Sequence, residues 1–149
     1  MRVLLIGSGG RESALSWKIA QSSMLESLFI APGNAGTKQY GKNVDLNVLD
    51  FDAVKTFVID HKIEMVIVGP EEPLVMGIAD FFKKDPSLSS VALIGPTQAG
   101  AALEGSKTFA KEFMQRHKIP TAKYGSFTLQ TLREGIEFLR NMKAPYVLK

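Results

Sequence analysis

Short runs of apolar residues recur along the first hundred positions, and each main run ends at glycine or proline. Because these runs do not alternate with polar residues, they predict strands that are buried on both faces of a sheet. A weaker signal predicts a short strand at Asn43–Leu46. The four main predicted strands are Val3–Ile6, Leu28–Ala31, Met65–Val68 and Val91–Ile94.

Segments with helical spacing of apolar residues separate the strands. Asp50 predicts the N-cap of one such helix, and Leu74–Phe82 predicts another. Strands and helices in alternation, joined by right-handed crossovers, predict an α/β fold with a Rossmann-like, doubly wound parallel sheet. The predicted apolar faces are Ala14, Leu15 and Ile19 in the first helix and Phe51, Val54, Phe57 and Val58 in the second.

After position 96 the pattern changes to consecutive helices. The sequence predicts helices at Thr97–Glu104 and Lys107–His117, with Ser106 as the N-cap of the second helix. Phe109 and Phe113 are expected to be the buried residues of that helix.

The last segment predicts one more helix and the start of a strand. Thr131–Glu134 has the capping-box pattern, and Ile136 and Leu139 follow at helical spacing. Tyr146–Lys149 predicts the beginning of a buried strand. We therefore expect a fragment of a longer protein, with one domain at 1–103 and the start of a second at 104–149.

Composition narrows the possible chemistry and location. The 149 residues include no cysteine, which excludes a disulfide framework, a thiolate nucleophile and a cysteine-based zinc site. The apolar runs are far shorter than a membrane span, and the opening Met1–Gly7 is too short for a signal peptide. We expect a cytoplasmic protein that has no membrane partner.

Charge is distributed unevenly along the chain. Residues 1–100 hold 9 Lys and Arg against 11 Asp and Glu, whereas residues 101–149 hold 9 against 4. This asymmetry is compatible with a nucleic acid, with a phosphorylated small molecule or with an acidic remainder outside the sequence. The basic residues are scattered, and no aromatic residues are interleaved with them as a stacking platform, so we expect no nucleic-acid partner.

Four loops rich in glycine or proline follow the four main strands, at Gly7–Glu12, Pro32–Thr37, Gly69–Pro73 and Gly95–Thr97. In a parallel sheet all four lie at the carboxyl edge, where ligands bind at the switch in strand order. A helix that begins at Gly10 directs its first N–H groups toward an anion such as phosphate. The alternative is that the glycines only allow tight turns.

The first loop also suggests a dinucleotide site, but it departs from that pattern. The third glycine of G-x-G-x-x-G falls on Glu12, and no acidic residue follows the second strand to bind a ribose hydroxyl. An NAD(P)-binding dehydrogenase module therefore stays an alternative. His61 and His117 have no ligand-type neighbours at metal spacing, so we expect no metal site in this sequence.

The loops together resemble one family, the phosphoribosylamine–glycine ligases, also called glycinamide ribonucleotide synthetases. The resemblance runs from Val3 to Lys149, with one departure at Ser13, where the family commonly has histidine. Another purine-pathway ATP-grasp enzyme is an alternative that should not share APGNAGT and LEGSK together. The matching segments are VLLIGSGGRESAL, APGNAGT, VGPEEPLVMGIAD, IGPTQAGAALEGSKTFAKEFMQRHKIPTA and PYVLK.

The resemblance implies a Rossmann-like pre-ATP-grasp domain followed by the start of an ATP-grasp domain. The implied reaction is ATP-dependent ligation of glycine to 5-phosphoribosylamine in de novo purine biosynthesis. It gives glycinamide ribonucleotide, ADP and phosphate through glycyl phosphate. ATP and Mg²⁺, or Mn²⁺, are then bound mainly outside this sequence, and the 149 residues alone should be inactive.

The resemblance also implies roles for individual residues. The 5-phosphate of phosphoribosylamine is expected near Gly9 and Gly10. Sequence alone favours surface positions for Lys107 and Lys149, but the resemblance implies that both contact ATP. Catalytic residues and metal ligands are expected outside the sequence. The implied substrate-binding residues are Gly9, Gly10, Arg11, Glu12, Asn34, Gly36, Pro70 and Glu71.

Overall fold

A computed structural model describes residues 1–148 of the chain. The chain forms two compact units, Met1–Gly105 and Ser106–Lys149. We call them unit 1 and unit 2 and describe each by itself.

Unit 1 contains a five-stranded sheet, five α-helices and two short 3-10 helices, Thr37–Gln39 and Pro86–Leu88. Its strands are β1 (Arg2–Gly7), β2 (Ser27–Pro32), β3 (Lys42–Asn43), β4 (Met65–Val68) and β5 (Ala92–Ile94). Its helices are α1 (Gly10–Ile19), α2 (Phe51–Asp60), α3 (Glu71–Val75), α4 (Ile78–Lys84) and α5 (Gln98–Gly105). Unit 2 contains α6 (Lys107–Arg116) and α7 (Leu132–Arg140).

The sheet has the order β3-β2-β1-β4-β5, and all of its paired strands are parallel. The chain runs outward from β1 to β3, returns to β4 on the other side of β1, and continues to β5. This reversal makes the sheet doubly wound, with its switch point between β1 and β4. The predicted α/β class is confirmed. The predicted third strand is reduced to a two-residue edge strand.

The core lies on both faces of the sheet because successive residues of β1 point to opposite sides. Leu4 and Ile6 pack in one cluster, which includes Val54 and Val58 of α2. Val3 and Leu5 pack in a second cluster with Leu28 and Ile30 of β2. Asp50 begins α2 as predicted, since its carboxylate accepts the Ala53 N–H over 3.0 Å. Uniformly apolar strands therefore result from burial on two faces.

Two helix predictions for unit 1 were wrong in detail. Leu74–Phe82 is not one helix, because Gly77 has φ +96° and separates α3 from α4. Positive φ strains side chains but not glycine. In α1 the buried residues are Glu12 and Ser16, whereas Leu15 is 39% exposed. The inner side of α1 faces glycine-rich backbone, and the polar groups of that backbone can hydrogen-bond to polar side chains such as Glu12.

Unit 2 follows the predicted helix positions but lacks the predicted burial. Ser106 caps α6, since its hydroxyl accepts the Phe109 N–H over 3.2 Å. However, α6 contains no buried residue, so the predicted burial of Phe109 and Phe113 was wrong. The apolar residues of this helix have no enclosed core to enter within unit 2.

The end of unit 2 also differs from the predictions. The Thr131 hydroxyl accepts the Thr128 N–H over 2.8 Å instead of capping α7, so the predicted capping box does not form. Residues 146–148 form no strand, and Lys149 lies outside the described residues. None of the helices in the described part has the length and apolar character that a membrane crossing requires.

An ion pair in unit 1 predicts how stability changes in acid. Lys55 Nζ lies 2.6 Å from Asp85 Oδ2, and Ser87 also donates to Asp85. The hydrogen bond from Lys55, reinforced by those from Ser87, lowers the pKa of Asp85 to about 2. A lowered carboxyl pKa stabilises the fold above the unfolded value of about 4, and the stabilisation is lost as pH falls toward 2.

Replacing Lys55 by methionine should therefore flatten the pH dependence of unfolding between about pH 4 and pH 2. Urea unfolding of both proteins across this interval measures the effect. Lys84→Met, which removes an exposed lysine outside the pair, is the control and should keep the wild-type slope. An unchanged slope in Lys55→Met would show that the ion pair does not couple to folding.

Candidate functional site

The candidate site lies at the carboxyl edge of the sheet, beside the switch point. β1 and β4 are neighbours there, with Ile6 opposite Val68. Their loops leave the sheet side by side, and the Gly69 N–H donates to the Ile6 carbonyl over 3.0 Å. The loop after β2 joins them because the Gly33 N–H donates to the Gly7 carbonyl over 3.1 Å. Ligands of open parallel sheets bind at this position.

The centre of this edge is the buried side chain of Glu12, which is 3% exposed. Its Oε2 accepts the Gly9 N–H over 2.6 Å, so the carboxylate turns back onto the start of α1. A Cβ at Gly7 would lie 2.5 Å from Glu12 Cγ, and one at Gly69 would overlap Oε1. Gly7 also has φ +132°. The glycines are therefore required by the close approach of backbone to carboxylate.

The second carboxylate oxygen of Glu12 has a different environment. Oε1 is buried and has no hydrogen-bond partner among the described residues. The Arg11 guanidinium lies near it, but the distance from Nε to Oε1 is 3.9 Å. Buried polar atoms are generally paired, and an unpaired one is costly. This acceptor is therefore one that an added donor would satisfy.

Arg11 and Glu71 carry the exposed charge of the edge. The Arg11 side chain is 64% exposed, and its Nη2 lies 3.9 Å from Glu71 Oε2. The Glu71 side chain is 51% exposed and belongs to the first turn of α3, after its N-cap Pro70. Both charges remain accessible at the switch point, where they are screened by solvent.

Asn34 ties the loop after β2 to the loop after β1. Its Nδ2 donates to the carbonyls of Ser8 and Gly9 over 2.8 and 3.1 Å. Its Oδ1 accepts the Gly36 N–H over 2.7 Å and the Ser13 hydroxyl over 3.1 Å. The Asn34 amide is thus used within the protein. Ser13, at the position where the resembled family has histidine, contributes a hydroxyl to this network.

Gly36 and Gly10 have opposite surroundings. A Cβ at Gly36 would lie 2.9 Å from Ser13 Oγ, so this glycine allows the two loops to approach closely. A Cβ at Gly10 would meet nothing within 4 Å. Gly10 is the first residue of α1, and the first N–H groups of a helix lack intrahelical partners. The open space beside Gly10 therefore faces the positive end of the helix dipole.

The structure brings six of the eight predicted substrate-binding residues to the switch point and places Asn34 and Gly36 on the adjoining loop. Lys107 lies at the start of α6 in unit 2 and is exposed, and Lys149 is outside the described residues. Sequence reasoning missed the roles of Gly7 and Gly69. Both glycines directly follow predicted strands, and this position was the signal in the sequence that could have identified them. Residues 1–148 contain no cluster of three or more His, Asp or Glu that could hold a metal ion.

A doubly wound parallel sheet with flanking helices defines a Rossmann-like α/β domain, and unit 1 is of this class. The chain belongs to the family described as "Phosphoribosylglycinamide synthetase, N domain", whose model matches residues 1–104. The resemblance predicted from the loop motifs is confirmed. The dehydrogenase alternative is not favoured.

Individual relatives agree with the family model. Phosphoribosylamine–glycine ligase of Escherichia coli strain K12 is 48% identical over 151 aligned positions, and that of Vibrio cholerae is 46% identical. Each alignment covers 100% of this chain and 34% of the relative. A crystal structure of the Thermotoga maritima ligase aligns with a TM-score of 0.61 and 31% identity, over 93% of this chain and 30% of that one. The chain thus spans about a third of the length of its curated relatives.

Proposed function

We propose that this chain supplies the sugar-phosphate site of an ATP-dependent ligase that joins glycine to 5-phosphoribosylamine. The observation that carries the proposal is the switch-point edge, where an open helix start, an exposed arginine and a buried carboxylate lie together. Membership of the phosphoribosylglycinamide synthetase N-domain family supports the choice of substrate. The relatives' names supply the reaction that we transfer to the whole protein.

The 5-phosphate binds at the start of α1 in this proposal. Sequence motifs suggested Gly9 and Gly10, but the Gly9 N–H already donates to Glu12. We therefore assign the phosphate to the amides of Gly10 and Arg11, beside the open space at Gly10. The Arg11 guanidinium adds positive charge, and charge-assisted hydrogen bonds to phosphate are the strong ones.

The ribose and its amine then extend toward the loop after β4. Pro70 and Glu71 form one wall, and the Glu71 carboxylate is exposed for contact with a hydroxyl or an amine. Asn34 and Gly36 act by holding the neighbouring loop, because the Asn34 amide is already engaged. Glu12 fixes the loop after β1. This arrangement gives each predicted residue a direct or a supporting role.

The proposed reaction uses two displacements. The glycine carboxylate attacks the γ-phosphate of ATP and releases ADP, and the amine of phosphoribosylamine then displaces phosphate from glycyl phosphate. Lys107, and Lys149 by resemblance, contact ATP. Magnesium or manganese would neutralise polyphosphate charge. Because the described residues hold no suitable carboxylate cluster, we assign no metal ligand here. We place the whole protein in the cytoplasm, acting on small-molecule substrates.

A chimeric ligase tests this proposal. Residues 1–105 of this chain replace the corresponding segment of the Escherichia coli ligase, to which the chain is 48% identical. We expect the chimera to form glycinamide ribonucleotide from phosphoribosylamine, glycine and ATP. Arg11→Met should raise its KM for phosphoribosylamine roughly tenfold or more, since about 1.5–3 kcal/mol is typical of a hydrogen bond to a charged group.

The KM values for glycine and ATP serve as internal controls and should stay unchanged in Arg11→Met. Lys18→Met, which removes an exposed cation at the far end of α1, is the matched control variant. A folded chimera that consumes no phosphoribosylamine would contradict the proposed function. Unchanged KM values in the Arg11→Met chimera would show that Arg11 does not contact the phosphate.

A further inference from the structure

The two edges of the sheet in unit 1 differ in how well they are protected from pairing. At one edge, β3 is only two residues long and carries the exposed Lys42. At the other edge, β5 contains no charged residue and no proline. Natural sheets usually protect their edges with charges, proline or very short strands, because an unprotected edge pairs with another chain. The β5 edge is therefore the one that can accept a further strand.

The free hydrogen-bonding groups of this edge lie on alternate residues of β5. The Ala92 N–H points toward β4, where it donates to the Glu64 carbonyl over 2.9 Å. Because the direction alternates along a strand, the N–H and the carbonyl of Leu93 point away from β4. The Gly95 N–H and the Val91 carbonyl form no hydrogen bond among residues 1–148. This edge therefore offers both donors and acceptors to a neighbouring strand.

The same groups are arranged so that β5 can pair with a second β5. A two-fold axis beside Leu93, perpendicular to the sheet, places the second strand antiparallel to the first. Leu93 then exchanges both N–H···O bonds with Leu93 of the second copy. Each Gly95 N–H meets the Val91 carbonyl of the other copy at the next such pair. A contact of this kind is isologous, because it uses the same surface patch on both copies.

The side chains on one face of β5 are complementary in this pairing. Ile94 is 51% exposed, and Ala92 is small and exposed. With Leu93 beside the axis, Ala92 of one copy lies directly opposite Ile94 of the other. Directly opposite residues have Cβ atoms about 4.5–5.5 Å apart, so each Ile94 covers the small side chain across from it. The pairing thereby removes exposed apolar surface from water.

The other face of β5 is complementary as well. Val91 lies opposite Gly95 of the second copy, so a branched side chain again meets a small residue. Leu93 lies opposite itself, beside a cavity of about 400 Å³ whose lining includes Phe82 and Leu88. Both of these lining residues are buried, which gives the cavity an apolar floor. Leu93 of the second copy would lie beside this cavity and extend its apolar lining.

We propose that two copies of this chain associate through β5 and join their five-stranded sheets into one continuous sheet. The inference is independent of the proposed function, because it uses the outer edge of the sheet and none of the residues of the candidate site. The contact is small, so the dimer is reversible, with a dissociation constant of roughly 10 µM to 1 mM.

Sedimentation equilibrium of the 149-residue chain, at concentrations up to about 2 mM, measures the association. Ile94→Lys should weaken dimerisation roughly tenfold or more, because it places a charge against Ala92 in place of an apolar contact. Met24→Lys changes another exposed apolar residue, which precedes β2, and this control should dimerise like the wild type.

Two results of this measurement would overturn the proposal. A chain that stays monomeric at about 2 mM would leave the β5 edge free for a strand of a different protein. A dimer that Ile94→Lys leaves unchanged would show that the copies associate through another surface.

Disulfide cross-linking tests the register of the two strands, and the chain suits this test because it has no cysteine. Ala92→Cys and Ile94→Cys are prepared separately, mixed and treated with oxidised glutathione. In the proposed pairing, position 92 lies directly opposite position 94, within reach of a disulfide. Two copies of position 92 are diagonal neighbours about 7–8 Å apart, which is too far. We expect the mixture to cross-link roughly tenfold faster than either variant alone.

Ala20→Cys mixed with Ile94→Cys gives the rate of random collision, since Ala20 is exposed at the end of α1. All three substitutions are at exposed positions, and circular dichroism checks that each variant is folded. Equal cross-linking rates in the two mixtures would overturn the proposal. Faster cross-linking of Ala92→Cys with itself would also overturn it, because that product requires a different register.

Discussion

Replacing Gly69 by alanine should destabilise the chain by about 3 kcal/mol, since overpacking and a displaced buried carboxylate act together. The added Cβ would overlap Glu12 Oε1 and lie 2.8 Å from Cδ. Glu12 cannot easily move away, because it is 3% exposed and its side chain also packs closely against the backbone at Gly7. The Glu12 bond to the Gly9 N–H would be lost with this displacement. Urea unfolding of the two proteins measures the difference.

Gly10→Ala is the matched control for this prediction. Its Cβ would meet nothing within 4 Å, and Gly10 lies in α1 without a positive φ. We expect unchanged stability or a gain of about 0.4–1 kcal/mol from the reduced entropy of the unfolded chain. Equal stabilities of Gly69→Ala and wild type would mean that the Glu12 carboxylate does not pack closely against the backbone at Gly69.

A chain that ends at Gly105 should fold by itself, whereas a peptide of residues 106–149 should not. Every buried hydrophobic residue in the described part of the chain lies in unit 1. In unit 2, α6 has no buried residue, and α7 has only Gly135. Isolated helices shorter than about 12–15 residues are marginal in water, so these helices need packing that unit 2 does not provide.

Circular dichroism and thermal unfolding test this division. The chain of residues 1–105 should unfold cooperatively, and its free energy of unfolding should lie within about 1 kcal/mol of that of the 149-residue chain. The peptide of residues 106–149 should show little helix and no transition. A cooperative transition in the peptide would contradict the account of its core, as would a large loss of stability in the shorter chain.

The four main strands were predictable because each contains an uninterrupted apolar run that is followed by glycine or proline, whereas β3 (Lys42–Asn43) has no such run. Burial on both faces of the sheet produces such runs, so the strands follow from local sequence. The break between α3 and α4 was harder to predict, since Leu74–Phe82 keeps a helical pattern. Only the positive φ of Gly77 reveals the boundary. Unit 2 shows the converse, because helical patterns predicted its helices correctly, whereas the predicted burial of Phe109 was wrong.

The site was predictable as a group of loops but not in its internal bonding. Glu12 belongs to a residue type that is rarely buried, and its burial depends on Gly69, which is far away in sequence. The motif therefore suggested a free amide at Gly9, whereas the structure uses that amide for Glu12. Likewise, Asn34 looked like a ligand contact, but its amide joins two loops.

In the proposed function, the start of α1 beside the switch point holds the phosphate of the sugar substrate. The most direct measurement is a titration of the ¹⁵N-labelled chain with ribose 5-phosphate, followed through its backbone amide resonances. We expect the largest saturable shifts at the amides of Gly10 and Arg11, with smaller changes at Glu71. Shifts centred on the basic residues of unit 2, or none at the start of α1, would contradict the account.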